Sequence, residues 1–277
     1  MIVTGLAIEA LASRGNTERH GSHAGAVQKA FAWLEKQTQP DGFLGAREAP
    51  NGVAAHAFMC NMMLARRMAA PPEPPTKQSL ELLETLRLPD GTWPARVGGT
   101  KGDAMATFWA SMAGLNSDFL SSTPRRANLQ PALEALENGL LATEPSPSFE
   151  AALRCFVVRE PKKDARLAAL MGTLGNDLPR WCSGPDAARM DYLDWYLGAR
   201  AAVQVRGAAW QEWCQALLAA LVPHQRADGA HAGSWDPVDR SGKQGGRVYA
   251  TAVNVCSLAL ARSALERVDG RPAGNKK

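Results

Sequence analysis

Two kinds of helix-forming segment alternate along this chain, and this alternation constrains the fold more than any other feature. The first kind is apolar on one face only. In 24–37, Val27, Phe31 and Leu34 recur at helical spacing, and charged or amide side chains occupy the opposite face. The second kind, such as 53–65 (VAAHAFMCNMMLA), is apolar on nearly every face. A helix without a polar face needs packing partners all round, so we expect the second kind inside and the first outside.

About six inner and five to six outer helices are predicted in this way. The inner helices are expected near 2–13, 53–67, 103–115, 149–158, 187–204 and 247–264, and the outer ones near 24–37, 77–87, 131–142, 164–174 and 208–222. One inner and one outer helix in about 40–50 residues is typical of an α-solenoid or a closed α/α ring. Six inner helices favour the ring. The sequence therefore predicts an all-α fold, an α/α toroid.

The predicted domain organisation is simple. Residues 1–266 form a single toroid domain, and 267–277 form a flexible C-terminal tail that is polar and short. The first inner helix has no outer partner before it. We therefore expect the domain to be a fragment of a longer protein.

An Asp-Gly pair recurs in the loops that follow the outer helices. The copies are Asp41-Gly42, Asp90-Gly91, Asp228-Gly229 and a degenerate one at Asp177. Glycine can end a helix in the left-handed conformation, and aspartate can bond the amides of a turn. An aromatic side chain after each copy is expected to wedge between neighbouring helical hairpins: Phe43, Trp93, Trp181 and Trp235.

The composition of the chain limits the kinds of partner that it can bind. The net charge of +4 is mild and the basic residues are scattered, which argues against nucleic-acid binding. No apolar run approaches the ~18–20 residues that span a bilayer, and the N-terminus lacks a basic signal region. We therefore expect no direct membrane span and a cytoplasmic location, or a periplasmic one if a longer anchored protein carries the domain. Five cysteines without a C-x-x-C pair favour a reducing compartment.

The Asp-Gly loops resemble the Q-x-x-D-G-x-W staples of squalene cyclases and their relatives, in the terpenoid cyclase/prenyltransferase α/α toroid superfamily. Gln225-x-x-Asp228-Gly229 matches the first half of the staple, and D-G-T-W at 90–93 matches the second. D-Y-L-D-W-Y-L-G-A-R-A at 191–201 and A-G-S-W-D-P-V-D-R-S-G-K-Q-G-G-R-V-Y-A-T-A at 232–252 resemble the C-terminal signature of bacterial prenyltransferase/squalene oxidase repeat proteins of unassigned function. The resemblance covers most of the chain and implies a helical ring around a central cavity.

The catalytic motifs of that superfamily are missing from the sequence. It contains neither the D-x-D-D acid of class II cyclases nor the D-D-x-x-D diphosphate motif, and the thioester G-C-G-E-Q of complement-type toroids is absent too. The last inner helix, R-V-Y-A-T-A-V-N-V-C at 247–256, offers no histidine for the zinc of protein prenyltransferases. We therefore expect no cofactor, no metal and none of the family's chemistry, because a fold does not imply a function.

Asp191 and Asp194 are the strongest candidate for a catalytic pair. They are three residues apart and share one face of an inner helix. Carboxylates that face a cavity can act as general acid and base, as in glycan-active α/α barrels. The alternative, which we favour, is that one caps the helix or pairs with Arg189 or Arg247 while the other meets the rim.

Seven polar residues lie at or near the starts of inner helices and are expected to converge on one mouth of the cavity. They are His56, Asp103, Asp191, Tyr192, Asp194, Arg247 and Tyr249. A polar mouth over an apolar barrel suits a hydrophobic or peptide-shaped ligand. The alternative for the set is ordinary helix capping, and for His56 a core histidine with satisfied hydrogen bonds.

The loop W-D-P-V-D-R-S-G has oxygen ligands on Asp236, Asp239 and Ser241, which invites a calcium interpretation. It lacks the bidentate glutamate of the usual 12-residue pattern. The favoured alternative is a loop whose aspartates bond its own amides.

These observations predict a non-catalytic binding or protein-interaction domain, with a central cavity or rim for a hydrophobic small molecule or a protein or peptide partner. The alternative is a divergent enzyme that acts on isoprenoid or glycan substrates through Asp191 and Asp194.

Overall fold

The computed structural model describes residues 1–66, 74–118, 129–139, 141, 146–158, 160–205 and 208–268. Over those ranges the chain forms eleven α-helices and no β-strand, so the all-α prediction is confirmed. The helices are α1 (Ile2–Ser13), α2 (Ala24–Lys36), α3 (Gly52–Arg66), α4 (Pro74–Thr85), α5 (Ala104–Asp118), α6 (Gln130–Glu137), α7 (Pro147–Val157), α8 (Ala165–Asn176), α9 (Tyr192–Val205), α10 (Ala208–Leu221) and α11 (Gly242–Val268).

The helices belong to two compact units. The first comprises Met1–Ile8 and Asn16–Pro145, and the second comprises Glu9–Gly15 and Ser146–Lys277. The single domain predicted over 1–266 stays a prediction. The predicted tail, 267–277, lies outside the described residues except for its first two, which complete α11.

In the first unit the predicted inner helices α3 and α5 pack against each other, and α4 contacts both. Side chains on every face of α3 are buried between Val53 and Leu64. Helix α2 behaves differently, because it buries only Val27, Phe31 and Leu34. The distinction between fully apolar and one-faced helices is confirmed by this difference in burial.

The second unit repeats the arrangement with more helices. Helix α9 packs between α7 and α11, while α8 and α10 contact each other and also pack on that row. Helix α7 is buried without interruption from Ser148 to Cys155, whereas α8 buries only Leu167, Leu170 and Leu174. Helix α7 is therefore buried on all faces and α8 on one face only, as their apolar patterns predict.

Helix α11 contains a break at its beginning. Gly246 has φ 69° and ψ −170°, which is not helical, so the continuous part of the helix starts at Arg247, as the sequence predicted. Within the described residues α11 is the one helix long and apolar enough to cross a membrane, over Gly242–Glu266. Half of its most apolar window is buried in the protein. A core helix passes the same test, and the chain is compatible with a soluble protein.

The first two of the Asp-Gly loops share one local geometry. In the first two copies the aspartate side chain accepts a hydrogen bond from the backbone amide two residues later, at 3.1 Å for Asp41 and 3.0 Å for Asp90. Gly42 and Gly91 adopt left-handed φ angles of 89° and 84°, which residues with side chains avoid. Helix α2 already ends at Lys36, so the prediction that the glycine itself ends the helix is wrong. The glycine instead closes a turn inside the loop.

Each loop is tied to the inner helix that follows it. The tie is a backbone amide that donates to a side chain near the helix start: Leu44 to His56 Nδ1 at 3.0 Å, Trp93 to Thr107 Oγ1 at 3.1 Å, and Trp235 to Thr251 Oγ1 at 3.3 Å. The same contact therefore recurs in three loops.

The predicted aromatic burial holds for three of the four members. Trp93 and Trp235 are each 1% exposed, and Phe43 is fully buried and stacks on His56 with ring centroids 4.6 Å apart. Trp181 is only half-buried and stacks on His224 with ring centroids 4.0 Å apart. In the first copy Leu44, rather than Phe43, takes the position of Trp93, because its amide makes the repeated contact.

Candidate functional site

Asp191 stands immediately before α9 and caps it. Its Oδ1 accepts hydrogen bonds from the backbone amides of Leu193 at 3.0 Å and Asp194 at 3.1 Å. The first amides of a helix have no partner within the helix, so a carboxylate in this place stabilises its start. Asp191 Oδ2 lies 3.4 Å from the exposed guanidinium of Arg240. Both oxygens of Asp191 therefore have structural partners.

Asp194 lies in the first turn of α9 and faces the start of α7. Its Oδ1 accepts a hydrogen bond from Ser146, the residue that caps α7 by accepting from a first-turn amide at 3.2 Å. Burial raises the pKa of the Asp194 carboxyl, and the Ser146 and Ser148 hydroxyls oppose that rise. Asp191 and Asp177 raise the pKa further. Asp191 therefore bonds helix amides and faces an arginine, whereas Asp194 bonds a serine hydroxyl.

Asp191 and Asp194 line a pocket of about 330 Å³ in the second unit, here called the Asp194 pocket. Its apolar lining comes from Pro147, Leu174, Leu178, Met190, Trp195 and Trp213. Its other polar lining residues are Ser148, Thr173, Asp177, Arg180, Cys182 and Arg189. A pocket of this volume lies at the lower end of the range for small-molecule sites, and its lining is mixed, with somewhat more polar than apolar surface.

Ser148 gives this pocket an unsatisfied polar group. The residue is 1% exposed, and its Oγ lies near enough to the Asp194 carboxyl to lower that pKa but makes no hydrogen bond of acceptable geometry with any described residue. A buried hydroxyl without a partner costs about 1–3 kcal/mol. An occupant that bonds this hydroxyl would recover that free energy.

Tyr192 and Tyr249 belong to a buried cluster behind the start of α9. Asp239 Oδ2 accepts hydrogen bonds from the Tyr192 amide at 3.2 Å and from the Tyr249 hydroxyl at 3.5 Å. The Tyr192 hydroxyl donates to the carbonyl oxygen of Asp236 at 3.2 Å. Burial raises the pKa of Asp239 and of both tyrosines. These side chains hold the loop before α11 against α9.

Arg247 holds the same loop from its other side. Its Nη2 lies 2.5 Å from Asp236 Oδ1, and Arg226 Nη1 lies 2.9 Å from Asp236 Oδ2. Desolvation raises the pKa of Asp236, but the hydrogen bonds from the two arginines outweigh it and hold the pKa below its usual value. Among the residues that the structure describes, no group of three or more His, Cys, Asp or Glu side chains could hold a metal ion. Asp236 bonds two arginines, and Asp239 bonds the Tyr192 amide and the Tyr249 hydroxyl.

His56 and Asp103 lie in the first unit, where each has a structural partner. His56 is fully buried; its Nδ1 accepts from the Leu44 amide, and its Nε2 donates to the Ser79 carbonyl oxygen at 3.1 Å. Burial lowers the pKa of His56 to about 4, so the ring is neutral at pH 7. Asp103 Oδ1 accepts from the Ala106 amide at 2.8 Å and caps α5. His56 is therefore a core histidine with satisfied hydrogen bonds, and Asp103 is a helix cap.

A further buried cluster was not predicted from the sequence. The Tyr196 hydroxyl donates to the Glu9 carboxylate, with distances of 2.8 and 2.9 Å to its two oxygens, and it accepts from Arg200. Arg200 Nη1 also lies 3.1 Å from Glu9 Oε1. These three residues attach the second half of α1 to α9 within the second unit.

Sequence reasoning also missed the serines and Arg180 of the Asp194 pocket. A signal for Ser146 exists, because serine followed by proline is typical of a helix start, with proline at the first helical position. No such signal exists for Ser148, Arg180 or Cys182. Their role depends on which helices pack together.

Of the seven predicted mouth residues, five lie in the second unit around the start of α9: Asp191, Tyr192, Asp194, Arg247 and Tyr249. Only Asp191 and Asp194 line the pocket. No protein-family model matches the chain, and a comparison with curated proteins finds no match either. The resemblance to toroid proteins therefore rests on the loop and C-terminal motifs of the sequence.

Proposed function

We propose that this chain is a non-catalytic binding domain of the terpenoid cyclase-like α/α toroid type, and that its ligand site is the Asp194 pocket. The ring arrangement is supported by the alternation of dry and half-exposed helices within each unit and by the repeated tie between loop and inner helix. The ligand is a hydrophobic small molecule or a peptide.

One observation carries this proposal: the Asp194 pocket combines apolar walls with buried polar groups that have spare hydrogen-bonding capacity. Trp195, Trp213 and Met190 supply buried apolar surface. Ser148 supplies a buried hydroxyl without a partner, and Asp194 supplies a carboxyl whose second oxygen has no hydrogen bond from the described residues. Polar groups placed among apolar side chains fix the orientation of a ligand.

The environment of Asp191 supports a role other than catalysis. A general acid and base pair needs two carboxyl groups that are free to exchange protons with a substrate. Asp191 Oδ1 is occupied by two helix amides and Oδ2 faces Arg240. Asp194 is therefore the one member of the predicted pair with capacity left for a ligand.

A pair of tryptophan substitutions on α8 tests the proposal. Thr173 is exposed and lines the Asp194 pocket, whereas its neighbour Gly172 is exposed, lies outside the lining and has open space around it. Thr173→Trp should fill the pocket, and Gly172→Trp adds the same side chain elsewhere on the helix. The full chain and both variants are screened for shifts in unfolding temperature with hydrophobic small molecules and short peptides.

We expect compounds that stabilise the wild type to stabilise Gly172→Trp equally and to have little effect on Thr173→Trp, because ligand binding to the folded state raises its stability. Equal stabilisation of Thr173→Trp would contradict the assignment of the site. A screen in which no compound stabilises the wild type would count against a binding function.

The second candidate is a divergent enzyme that acts on isoprenoid or glycan substrates with Asp194 as the acid. The raised pKa of Asp194 favours it, because a carboxyl that keeps its proton can donate it to a leaving group. Turnover that is lost in Asp194→Asn and kept in Asp191→Asn would support this candidate, since asparagine also caps helices.

A further inference from the structure

The Asp194 pocket carries groups of opposite charge that differ in burial. Asp194 is held against Ser146 at the start of α7 and is partly buried. Arg180 lines the same pocket and is exposed. A ligand that fills the pocket therefore meets a carboxyl on the buried part of its wall and a guanidinium on the exposed part.

The buried part of the pocket is suited to a hydrogen-bond donor. An ionised carboxylate accepts only, and its two oxygens have about four acceptor sites. The structure shows one hydrogen bond to Asp194, from Ser146. The unpartnered Oγ of Ser148 lines the same pocket and is 1% exposed. An ammonium group has three donors and satisfies both side chains at once.

The exposed part of the lining carries Arg180, Arg189 and the acidic Asp177, and Arg180 is its candidate contact for an anion. Arg180 has no carboxylate within ion-pair distance among the described residues, whereas Arg189, the other arginine of the lining, has Asp186 at 3.5 Å. Guanidinium groups bind carboxylates through two parallel hydrogen bonds. Of the two arginines in the lining, Arg180 is therefore the one whose guanidinium has no ion-pair partner among the described residues.

The pocket also has apolar walls. Met190, Trp195 and Trp213 are buried and line the pocket. An aliphatic or aromatic segment of a ligand would pack on them and remove apolar surface from water.

We propose that the Asp194 pocket binds a zwitterion, with an ammonium at Asp194 and Ser148, a carboxylate at Arg180, and an apolar segment between them. This inference rests on the proposed binding function and names its ligand class, that of ω-amino acids and short peptides, in which several atoms separate the two charges. A bound ammonium also offsets the burial that raises the pKa of Asp194, because an opposite charge favours the ionised carboxylate.

Four six-carbon compounds test the inference by titration calorimetry on the full chain: 6-aminohexanoate, hexylamine, hexanoate and 1-hexanol. They share a hydrocarbon chain and differ in charge. We expect 6-aminohexanoate to bind at least about tenfold more tightly than each of the others, since one hydrogen bond to a charged group typically accounts for that factor.

Variants then assign each charge to a side chain. Asp194→Asn should weaken 6-aminohexanoate and hexylamine about tenfold and leave hexanoate unchanged, and Arg180→Gln should show the opposite pattern. Lys243→Gln, a matched loss of positive charge at an exposed residue outside the pocket lining, should change nothing. If Asp194→Asn does not fold, Ser148→Ala replaces it, with weaker binding of the two amines expected.

The outcomes separate this inference from the proposed function. Binding of 1-hexanol as tight as that of 6-aminohexanoate, or equal binding by wild type and Asp194→Asn, would overturn the zwitterion and leave an apolar binding pocket. If none of the four compounds binds but Thr173→Trp still blocks other ligands, the zwitterion is likewise overturned and the binding pocket remains. Failure of all four together with no effect of Thr173→Trp on any ligand would overturn both proposals.

Discussion

The indole nitrogen of Trp93 donates a hydrogen bond to the carbonyl oxygen of Leu83, 2.8 Å away in the last turn of α4. Trp235 makes the same bond at the same distance to Leu221, the last residue of α10. Each tryptophan also bonds through its backbone amide to a threonine of the next inner helix. One residue thus connects the end of an outer helix to the start of the following inner helix.

Replacing Trp93 with alanine should therefore lower the free energy of unfolding by about 3–5 kcal/mol, as the loss of a large buried aromatic does. Trp235→Ala should lower the free energy of unfolding by a similar amount. Trp181→Ala should lower it by less, because Trp181 is only half-buried. Urea unfolding measures these changes. Trp33, which is 42% exposed, provides the control, because Trp33→Ala should change stability by less than about 1 kcal/mol. Full stability in Trp93→Ala would refute the structural role of the loop.

The helices were predictable because their apolar patterns reflect burial directly. The pattern of 53–65 indicated a helix without a polar face, and α3 is buried on every face. The register of the loops was harder to predict. Both Phe43 and Leu44 follow the first Asp-Gly pair, and the choice of Leu44 depends on the hydrogen bond from its amide to His56. A contact between residues of different elements leaves no local periodicity in the sequence.

His56 should make the stability of the first unit depend on pH. Its pKa in the folded state is about 4, below the ~6.5 of an exposed histidine, because burial disfavours the charged ring. As the pH falls below about 6.5 the unfolded chain binds a proton that the folded chain does not, so the free energy of unfolding decreases until about pH 4. The loss approaches about 3 kcal/mol.

The variant His56→Thr isolates this effect, because threonine serves the same backbone contact at Thr107 and Thr251. We expect it to be less stable than wild type at pH 7, since the Ser79 carbonyl loses its donor. Its stability should vary less between pH 6.5 and 4. Unfolding curves at a series of pH values measure both properties, and identical pH dependence in the two proteins would show that His56 titrates normally.

The cysteines should differ sharply in reactivity. Four are buried, and burial raises their pKa, to about 12 for Cys155 and Cys214. Because the thiolate is the reactive form, these thiols should be inert in the folded protein. Cys182 is partly exposed and lines the Asp194 pocket.

A disulfide reagent such as Ellman's should thus modify one thiol per folded chain quickly, and all five after denaturation. Cys182→Ser should abolish the fast phase, and a ligand in the Asp194 pocket should slow it. A fast phase of two or more thiols would show that the buried cysteines become accessible.

No turnover is expected with squalene, farnesyl diphosphate or geranylgeranyl diphosphate, with or without Zn²⁺ or Mg²⁺. Protonation of an alkene needs a strong acid, and prenyl transfer needs a zinc thiolate or a magnesium-diphosphate site. Asp191 caps the start of α9 through two backbone amides. Asp194 is therefore the one carboxyl of the predicted pair that is free to act on a substrate. Product analysis after incubation with each substrate checks this, and turnover abolished by Asp194→Asn would establish an enzyme.

The candidate site was only partly predictable. Asp191 and Asp194 were recognisable because two acids on one face of an apolar helix stand out in a sequence. Ser148 and Arg180 belong to other elements, and their importance comes from burial without a partner in one case and from exposure beside the pocket in the other. Tertiary packing creates both properties.

Native mass spectrometry of the gently purified full chain tests the binding function most directly. The account predicts a co-purifying ligand, seen as a fixed mass added to the wild type and to Gly172→Trp and lost from Thr173→Trp. Retention of that mass by Thr173→Trp would contradict the assignment of the ligand to the Asp194 pocket, and the bare mass alone for the wild type would contradict a ligand held by the purified protein.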